Sequence, residues 1–236
     1  MPHQIQIDFE RFIKTHFAIP LTLFLVAFIG LEFTPLDFQI SENFYNTDLH
    51  QWPFKDNWLT ETVLHKGGQA FSKIMGVIVL LVLLFSLPAK SYLHRYRKPL
   101  VFLFIASITG PIIVAILKNN THIYCPWDLK LFGGTQPYIR LFDYAPVYLK
   151  VGRCFPAGHA GGGYTFISLY FFLMIVKPQY KHYWLYSGLL LGLIYGIAQQ
   201  MRGAHFLSHD LFSLAVCWLA SLTWFLVIFR KSLQWI

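Results

Sequence analysis

Three short stretches of the sequence carry nearly all the side chains that could bind and transfer a phosphate. They span residues 118–128, 153–160 and 199–210, and each adjoins a long apolar run. The ionisable residues that we single out in them are Lys118, Arg153, His159, Arg202, His205, His209 and Asp210. Imidazoles can serve as nucleophiles and general acids, and cationic side chains stabilise the charge on phosphate oxygens. This combination predicts phosphoryl chemistry at one shared site.

The second stretch has the features of an anion-binding helix start. Pro156, Ala157 and Gly158 precede His159 at the point where an apolar run begins. Proline suits the first turn of a helix, and glycine lets the backbone approach a ligand closely. Free backbone amides at such a position favour a phosphate. We expect His159 to contact the same anion and to donate a proton to the departing alkoxide.

The third stretch contains the candidate nucleophile, His205. A neutral imidazole can attack phosphorus and form a phosphohistidine, but a partner must fix its tautomer. His209 shares a helix face with His205, whereas Asp210 would meet it only if the backbone before residue 208 were not helical. We expect Ser208 to cap the last helix, which would leave His205 in the loop and free to meet Asp210. The sequence therefore does not decide whether His209 or Asp210 fixes the tautomer of His205.

The composition places these stretches in a membrane protein. Hydrophobic residues make up 56% of the chain and charged residues only 13%, about half the share of a soluble domain. We predict one all-α domain over residues 1–236, an integral membrane bundle of six transmembrane helices. The apolar runs that could cross roughly 30 Å of hydrocarbon lie at 17–36, 71–87, 100–117, 162–176, 184–198 and 211–229.

The basic residues predict the orientation of this bundle. The net charge of +8 lies mostly in short clusters between apolar runs, which indicates a membrane topology signal and no nucleic-acid partner. The clusters are Arg11 and Lys14; Lys90, Arg95, Arg97 and Lys98; Lys177 and Lys181; Arg230 and Lys231. The positive-inside rule then puts both termini in the cytoplasm. All three polar stretches fall on the outer face, which is the periplasmic face if the membrane is a bacterial inner membrane.

Taken together, the three stretches resemble the signature motifs of the type 2 phosphatidic acid phosphatase family, which also includes the vanadium haloperoxidases. The family motifs are Lys, six residues, Arg-Pro; then Pro-Ser-Gly-His; then Arg, five residues, His, three residues, Asp. The six-helix layout and the placement of the motifs extend the resemblance over most of the chain. The matching positions are Lys118, Pro126, Pro156, Gly158, His159 and His205.

Four motif positions depart from the family pattern. Cys125 stands at the first arginine, Ala157 at the serine, Gln199 at the second arginine and His209 at the aspartate, with Asp210 one place later. The resemblance implies that His205 is the nucleophile, His159 the general acid and Lys118 a phosphate ligand, without a metal or another cofactor. By position, Ala157, Gly158 and Gln199 also belong to the phosphate site. Arg153 and Arg202 are the cations that could replace the missing arginines.

Two cysteines suggest a further link between the motifs. Cys125 and Cys154 both lie in an outer segment, where an oxidising compartment would permit a disulfide. A bridge would tie the first stretch to the second, and closing such a loop stabilises a fold by roughly 3–4 kcal/mol. Cys217 lies inside the last apolar run, where we expect it to pack as a small apolar residue.

Two other classes of function compete with a lipid phosphatase. His205 and His209 have the spacing of two metal ligands on one helix face, with His159 or Asp210 as a third, which would indicate a metal-dependent hydrolase. A transporter is disfavoured because ionisable residues crowd one interface instead of the middle of the spans. A lipid phosphotransferase would use the same residues as the phosphatase. The substrates that we consider are lipid A, which we favour slightly, undecaprenyl pyrophosphate, phosphatidylglycerol phosphate and phosphatidic acid; the oligomeric state stays open.

Overall fold

A computed structural model describes residues 6–144, 146, 149, 151–231 and 234–235, with side chains described from residue 8 to 231 within these ranges. The secondary structure in these ranges is almost entirely helical. The longer elements are strand β1 (Gln6–Ile7), helices α1 (Phe9–Phe33), α2 (Leu36–Glu42), α3 (Trp58–Ser86), α4 (His94–Asn120), α5 (Gly158–Val176), α6 (Lys181–Met201) and α7 (Leu207–Phe229), and strand β2 (Gln234–Trp235). Short 3-10 turns lie at Pro126–Asp128, Lys130–Phe132 and Pro178–Tyr180.

Among the described residues, five helices are long and apolar enough to cross a membrane: α1, α3, α4, α5 and α7. They overlap five of the six predicted runs; α1 and α3 begin well before the predicted runs do, and each ends one to three residues before its run does. Helix α6 has 21 residues, enough to span, yet its tyrosines and its Gln199 and Gln200 lower its apolar content. The sixth span therefore remains a prediction.

Several helices are not regular throughout. Residues Lys14–Ala18 in α1 and Trp58–Gly67 in α3 are π-helical, and a 3-10 turn at Thr165–Ile167 interrupts α5. The π-helical turn in α3 is followed directly by regular α-helix from Gly68 to Ser86. Since π-helical turns occur frequently at functional sites, this part of α3 is a place to look for functional side chains.

The helices pack around an aromatic core formed mainly by α4, α5 and α7. Phe102, Phe171 and Phe225 are fully buried in it. Helix α6 joins the bundle through a close approach to α5, since a Cβ atom at Gly192 would lie 2.1 Å from Cδ1 of Tyr164. Glycine is therefore required there, and the contact holds α6 firmly against the helix that begins with His159.

The loops at one end of the bundle and the short helix α2 form a compact layer that we call the loop cap, residues 34–57, 121–144, 151–157 and 202–206. Its own apolar cluster includes Trp52, Leu129, Phe132 and Phe206. Trp52 lies directly against Gly203, which has a φ of +73° and would place a Cβ atom 2.4 Å from the indole. Only glycine fits this turn, and the contact holds the loop before α7 in place.

The two ends of the described chain lie together at the opposite end of the bundle. Strand β1 pairs in parallel with β2, so that Gln6 lies beside Gln234. Because α1 runs from these strands to the loop cap and α7 runs back, the cap and the chain ends are separated by the length of the bundle. Both ends thus share one side, and the assignment of that side to the cytoplasm stays a prediction.

Candidate active site

The structure brings the three predicted stretches together where the bundle meets the loop cap. Lys118 lies in the last turn of α4, His159 in the first turn of α5, and His205 in the loop that leads into α7. Lys118 and His159 are both close enough to His205 for their charges to act on it. Three separate elements thus converge on a single small region, as the motif pattern requires.

His205 is buried, and its environment keeps it neutral. Burial, followed by the positive charge of Lys118 and by the neighbouring imidazoles of His209 and His159, lowers the pKa of His205 well below its ordinary value. At pH 7 the ring therefore has a free lone pair. Its Nδ1 is engaged, while its Nε2 forms no hydrogen bond with a described residue and is the nitrogen open to a ligand.

His209, rather than Asp210, is the side chain beside His205. The Nδ1 atoms of the two histidines are 3.3 Å apart, so one of them donates to the other. Asp210 faces α6 instead, where its Oδ2 accepts a hydrogen bond from Gln200 Nε2 at 2.5 Å. One residue further along a helix is a rotation of about 100°, which explains why these neighbours point in different directions.

The predicted capping role of Ser208 is wrong, although His205 does lie in the loop. Helix α7 begins at Leu207, and Phe206 occupies the capping position. The Ser208 amide donates instead to Oδ1 of Asp37, at 3.1 Å, from the distant helix α2. Burial raises the pKa of Asp37 to about 6, with a further increase from the charge of Glu32. Because Asp37 lies 171 residues before Ser208, no local sequence pattern predicts this contact at the start of α7.

His159 contacts His65 of α3, and His65 in turn contacts Glu61; the sequence analysis singled out neither residue. Its ring centroid is 4.0 Å from that of His65, with the planes tilted by 44°. His65 Nδ1 is in turn 2.9 Å from Oε2 of Glu61, one π-helical turn earlier. His159 Nε2 is buried and has no hydrogen-bond partner among the described residues, so it is available to a substrate oxygen. Glu61 and His65 went unnoticed because the apolar run was placed from residue 71 onwards.

The backbone before His159 is only partly free to bind an anion. The Ala157 amide donates to the carbonyl oxygen of His209 at 3.2 Å, so Ala157 joins α5 to α7 and does not offer its amide to a ligand. Gly158 begins α5, and a Cβ atom placed on it would meet nothing within 4 Å. The open space beside Gly158 and the unpaired amides of this first turn are the part of the predicted anion site that remains.

The two arginines that could replace the missing ones have different positions. Arg202 is buried, and its guanidinium donates to Lys55 O at 2.9 Å and to Gln199 Oε1 at 3.0 Å, and it pairs with Glu61. Arg153 is exposed, and no hydrogen bond or ion pair joins its side chain to a described residue. Arg202 and Lys118 both act electrostatically on His159, but Lys118 also acts on His205 and is therefore the cation shared by the two histidines.

The structure joins Cys125 and Cys154 in a disulfide, with 5.1 Å between their Cα atoms. Cys154 Sγ lies 3.5 Å from Nδ1 of His205, so the bridge connects the first two motifs next to the third. Donor atoms of Cys154, His205 and His209 lie within 4.8 Å of one another, which is a spacing that could suit a metal ion. The bonded sulfur is not a thiolate, however, and two imidazoles fall short of the three protein ligands of a catalytic zinc site.

The Cys125–Cys154 bridge can be tested by counting free thiols with a maleimide. Of the three cysteines, only Cys217 should react after denaturation in detergent without a reductant, and all three should react after reduction. Mass spectrometry of the intact chain measures the number of adducts. The double variant Cys125→Ser/Cys154→Ser should have a free energy of unfolding lower by about 2–5 kcal/mol, because its unfolded chain is less constrained. Three adducts without a reductant would contradict the bridge.

A large apolar cavity opens beside the converging residues. Its volume is about 1000 Å³, at the upper end of ordinary small-molecule sites. Lys118, Gly158 and His159 line its polar end, and the walls continue between α3, α4 and α5 to Leu169 and Trp184. Such a cavity suits a ligand with a phosphate at one end and hydrocarbon along the rest.

Comparison with known proteins agrees with this geometry. The chain is 24% identical over 228 residues to a lipid A 4'-phosphatase of Francisella tularensis subsp. novicida (strain U112), an alignment that covers 93% of this chain and 98% of that protein. No solved structure gives a significant match.

The family prediction is tested most directly by the match to a family model. The model of the PAP2 superfamily, whose name abbreviates type 2 phosphatidic acid phosphatase, matches residues 99–233. This region begins near the start of α4 and contains all three motif stretches, Lys118, His159 and His205 among them. It makes up more than half of the 236 residues. The resemblance predicted from the motifs is therefore confirmed, and the chain belongs to the PAP2 superfamily.

Proposed function

We propose that this protein is a membrane lipid phosphatase that hydrolyses the phosphate monoester of an acylated lipid, with lipid A as the leading substrate. The observation that carries the proposal is the convergence of Lys118, His159 and His205, of which Lys118 and His159 line the polar end of an apolar cavity between membrane helices. The relative named as a lipid A 4'-phosphatase, which aligns over nearly its whole length, supports the choice of substrate.

The reaction proceeds by two displacements at phosphorus. His205 Nε2 attacks the phosphorus atom, the bond from phosphorus to the ester oxygen breaks, and His159 gives its proton to that oxygen. Water then attacks the phosphohistidine, His159 takes a proton from the water, and inorganic phosphate leaves as the nitrogen–phosphorus bond breaks. Each catalytic group returns to its starting state, so the cycle needs no external acid.

The surrounding groups stabilise the phosphate during transfer. Lys118 and the free amides at the start of α5 supply positive charge to the phosphate oxygens. His209 holds His205 through the Nδ1 contact, which leaves Nε2 for the attack. None of these steps uses a metal ion, and we accordingly propose a metal-independent enzyme.

The site faces outward in this proposal. The basic clusters of the sequence lie in the segments opposite the loop cap, and the paired ends of the chain lie on that same opposite side. An enzyme of a bacterial inner membrane would thus expose its loop cap to the periplasm. The substrate would keep its acyl chains in the bilayer and present its phosphate at headgroup depth.

Phosphate release by the purified protein tests the function. We expect release from lipid A to exceed release from undecaprenyl pyrophosphate, phosphatidylglycerol phosphate and phosphatidic acid. Activity should survive EDTA, since no metal takes part, and vanadate should inhibit it by occupying the phosphate site. An activity lost in EDTA and restored by zinc would instead indicate the metal-dependent hydrolase. A phosphorylated lipid formed in place of free phosphate would indicate the phosphotransferase.

A further inference from the structure

Two polar side chains project from α3 into the wall of the large cavity, below the catalytic residues. Gln69 and Lys73 both line the cavity and are exposed on its surface. They are four residues apart on a helix, so they lie on the same face, one turn above the other. Neither side chain has a hydrogen bond or ion pair with any described residue, and the proposed mechanism does not use them.

The depth of this pair can be judged from a neighbouring contact. Ser72, next to Lys73, donates a hydrogen bond to the Gly162 carbonyl at 3.2 Å. Gly162 lies four residues, or about 6 Å, into α5 from Gly158, where the anion site begins. By the rise of the helix, Lys73 therefore lies about 7–8 Å deeper in the membrane than Gly158, and Gln69, three residues before Ser72, lies between Lys73 and the level of the phosphate.

An unpaired cation at this depth needs a partner. A lysine within a membrane span is costly unless an acceptor satisfies it, and the residues that line this cavity include no aspartate or glutamate. The wall is otherwise largely apolar, with side chains such as Val77, Leu80 and Ile108, and none of its serine or threonine hydroxyls forms a hydrogen bond with Lys73 in the described part of the chain. The ligand itself is then the natural source of the missing acceptor.

We propose that Gln69 and Lys73 bind the ester or amide carbonyl oxygens through which acyl chains join the lipid headgroup. In an acylated lipid these carbonyls are the first polar groups below the phosphate, only a few bonds away. An isoprenoid phosphate has no acceptor there, because its hydrocarbon begins directly at the phosphate oxygen. The pair thus selects acylated lipid phosphates over isoprenoid ones; the inference rests on the proposed function and narrows its substrate class.

The test uses the full-length protein in detergent micelles and three lipids. These are an acylated lipid monophosphate that releases phosphate in the panel above, its ether-linked analogue with the same chains, and undecaprenyl pyrophosphate. For the natural sequence we expect kcat/KM to be at least about tenfold higher on the acylated lipid than on the ether analogue, as expected for a lost hydrogen bond to a charged donor. The double variant Gln69→Leu/Lys73→Met should lose this preference, with its rate on the ether lipid unchanged.

Two further variants separate recognition from structure and charge. Lys73→Arg keeps a cationic donor and should retain most of the preference, whereas Lys90→Met removes the same charge from an exposed loop and should leave all three rates unchanged. Equal wild-type rates on the acylated and ether lipids, or an equal loss of rate on both in the double variant, would contradict this inference but not the proposed function. Release from undecaprenyl pyrophosphate only would also contradict it. Release from none of the lipids would contradict the proposed function itself.

Discussion

Replacing His205 with alanine should lower the rate of phosphate release by at least about 100-fold, the usual scale for removing a nucleophile or a proton-transfer group. His205 combines the properties that the first displacement needs. Burial and nearby positive charge keep its imidazole neutral, its Nδ1 is held by His209, and its Nε2 has no partner among the described residues. The loss should appear mainly in kcat, because Lys118 and the cavity still bind the substrate.

Trapping the covalent intermediate shows whether His205 acts as the nucleophile. A brief reaction with a radiolabelled lipid phosphate should leave a label on the protein that is stable to base and labile to acid, as a phosphohistidine is. His205→Ala should remove this label, whereas His122→Ala should retain both label and activity, because His122 is an exposed histidine of the same outer segment. Wild-type activity in His205→Ala would end the proposed mechanism.

The sequence was sufficient to predict the features that depend on local patterns. Runs of apolar residues mark five helices that could span the membrane, because hydrocarbon thickness sets a minimum length that composition reveals. The motif spacing identified the stretches that meet at His159 and His205, and the placement of Cys125 and Cys154 led to the bridge that the structure contains. In each case the signal lies within a few residues or in a count along the chain.

Contacts between distant segments could not be predicted in this way. Asp37 binds the amide of Ser208, and Glu61 pairs with Arg202 while it holds His65 beside His159. Each contact depends on how two helices pack, and a single sequence does not specify that packing. Arg202 shows the consequence. Its position suggested a phosphate ligand, but its buried guanidinium is already bound to protein groups.

The partner of His205 was left open for a related reason. In the family pattern a carboxylate follows the histidine by four residues, and here that position holds His209, with Asp210 next to it. Only the direction of α7 decides which side chain meets His205, and α7 turns His209 toward it and Asp210 toward Gln200. In the mechanism that we propose, a neutral imidazole in place of a carboxylate would stabilise the phosphorylated, positively charged His205 less. The positive charge on His205 would then be stabilised mainly by the phosphate oxygens, whose own negative charge Lys118 stabilises.

Replacing His159 with alanine should have an effect that depends on the leaving group. On a lipid phosphate, whose alkoxide leaves poorly without a proton, we expect a loss of about 100-fold or more. On an aryl phosphate, whose phenolate leaves readily, the first displacement should remain close to the wild-type rate. His159 Nε2 is buried and has no hydrogen-bond partner in the described parts of the chain, which suits an atom that must exchange a proton with the substrate oxygen.

The second displacement makes this test sharper. Because His159 must also accept the proton of the attacking water, His159→Ala should release one equivalent of phenol in a burst and then stall as a phosphohistidine. Stopped-flow measurement of the phenol gives the burst amplitude, and acid-labile label on the protein gives the trapped intermediate. If His159→Ala instead lost activity on both substrates equally and showed no burst, His159 would have a structural role beside His65 and would not transfer protons. A burst of one equivalent followed by slow turnover in His159→Ala would mean that the wild-type residue also acts on the attacking water. His159 is placed for both proton transfers, because it lies in the first turn of α5 and lines the polar end of the cavity.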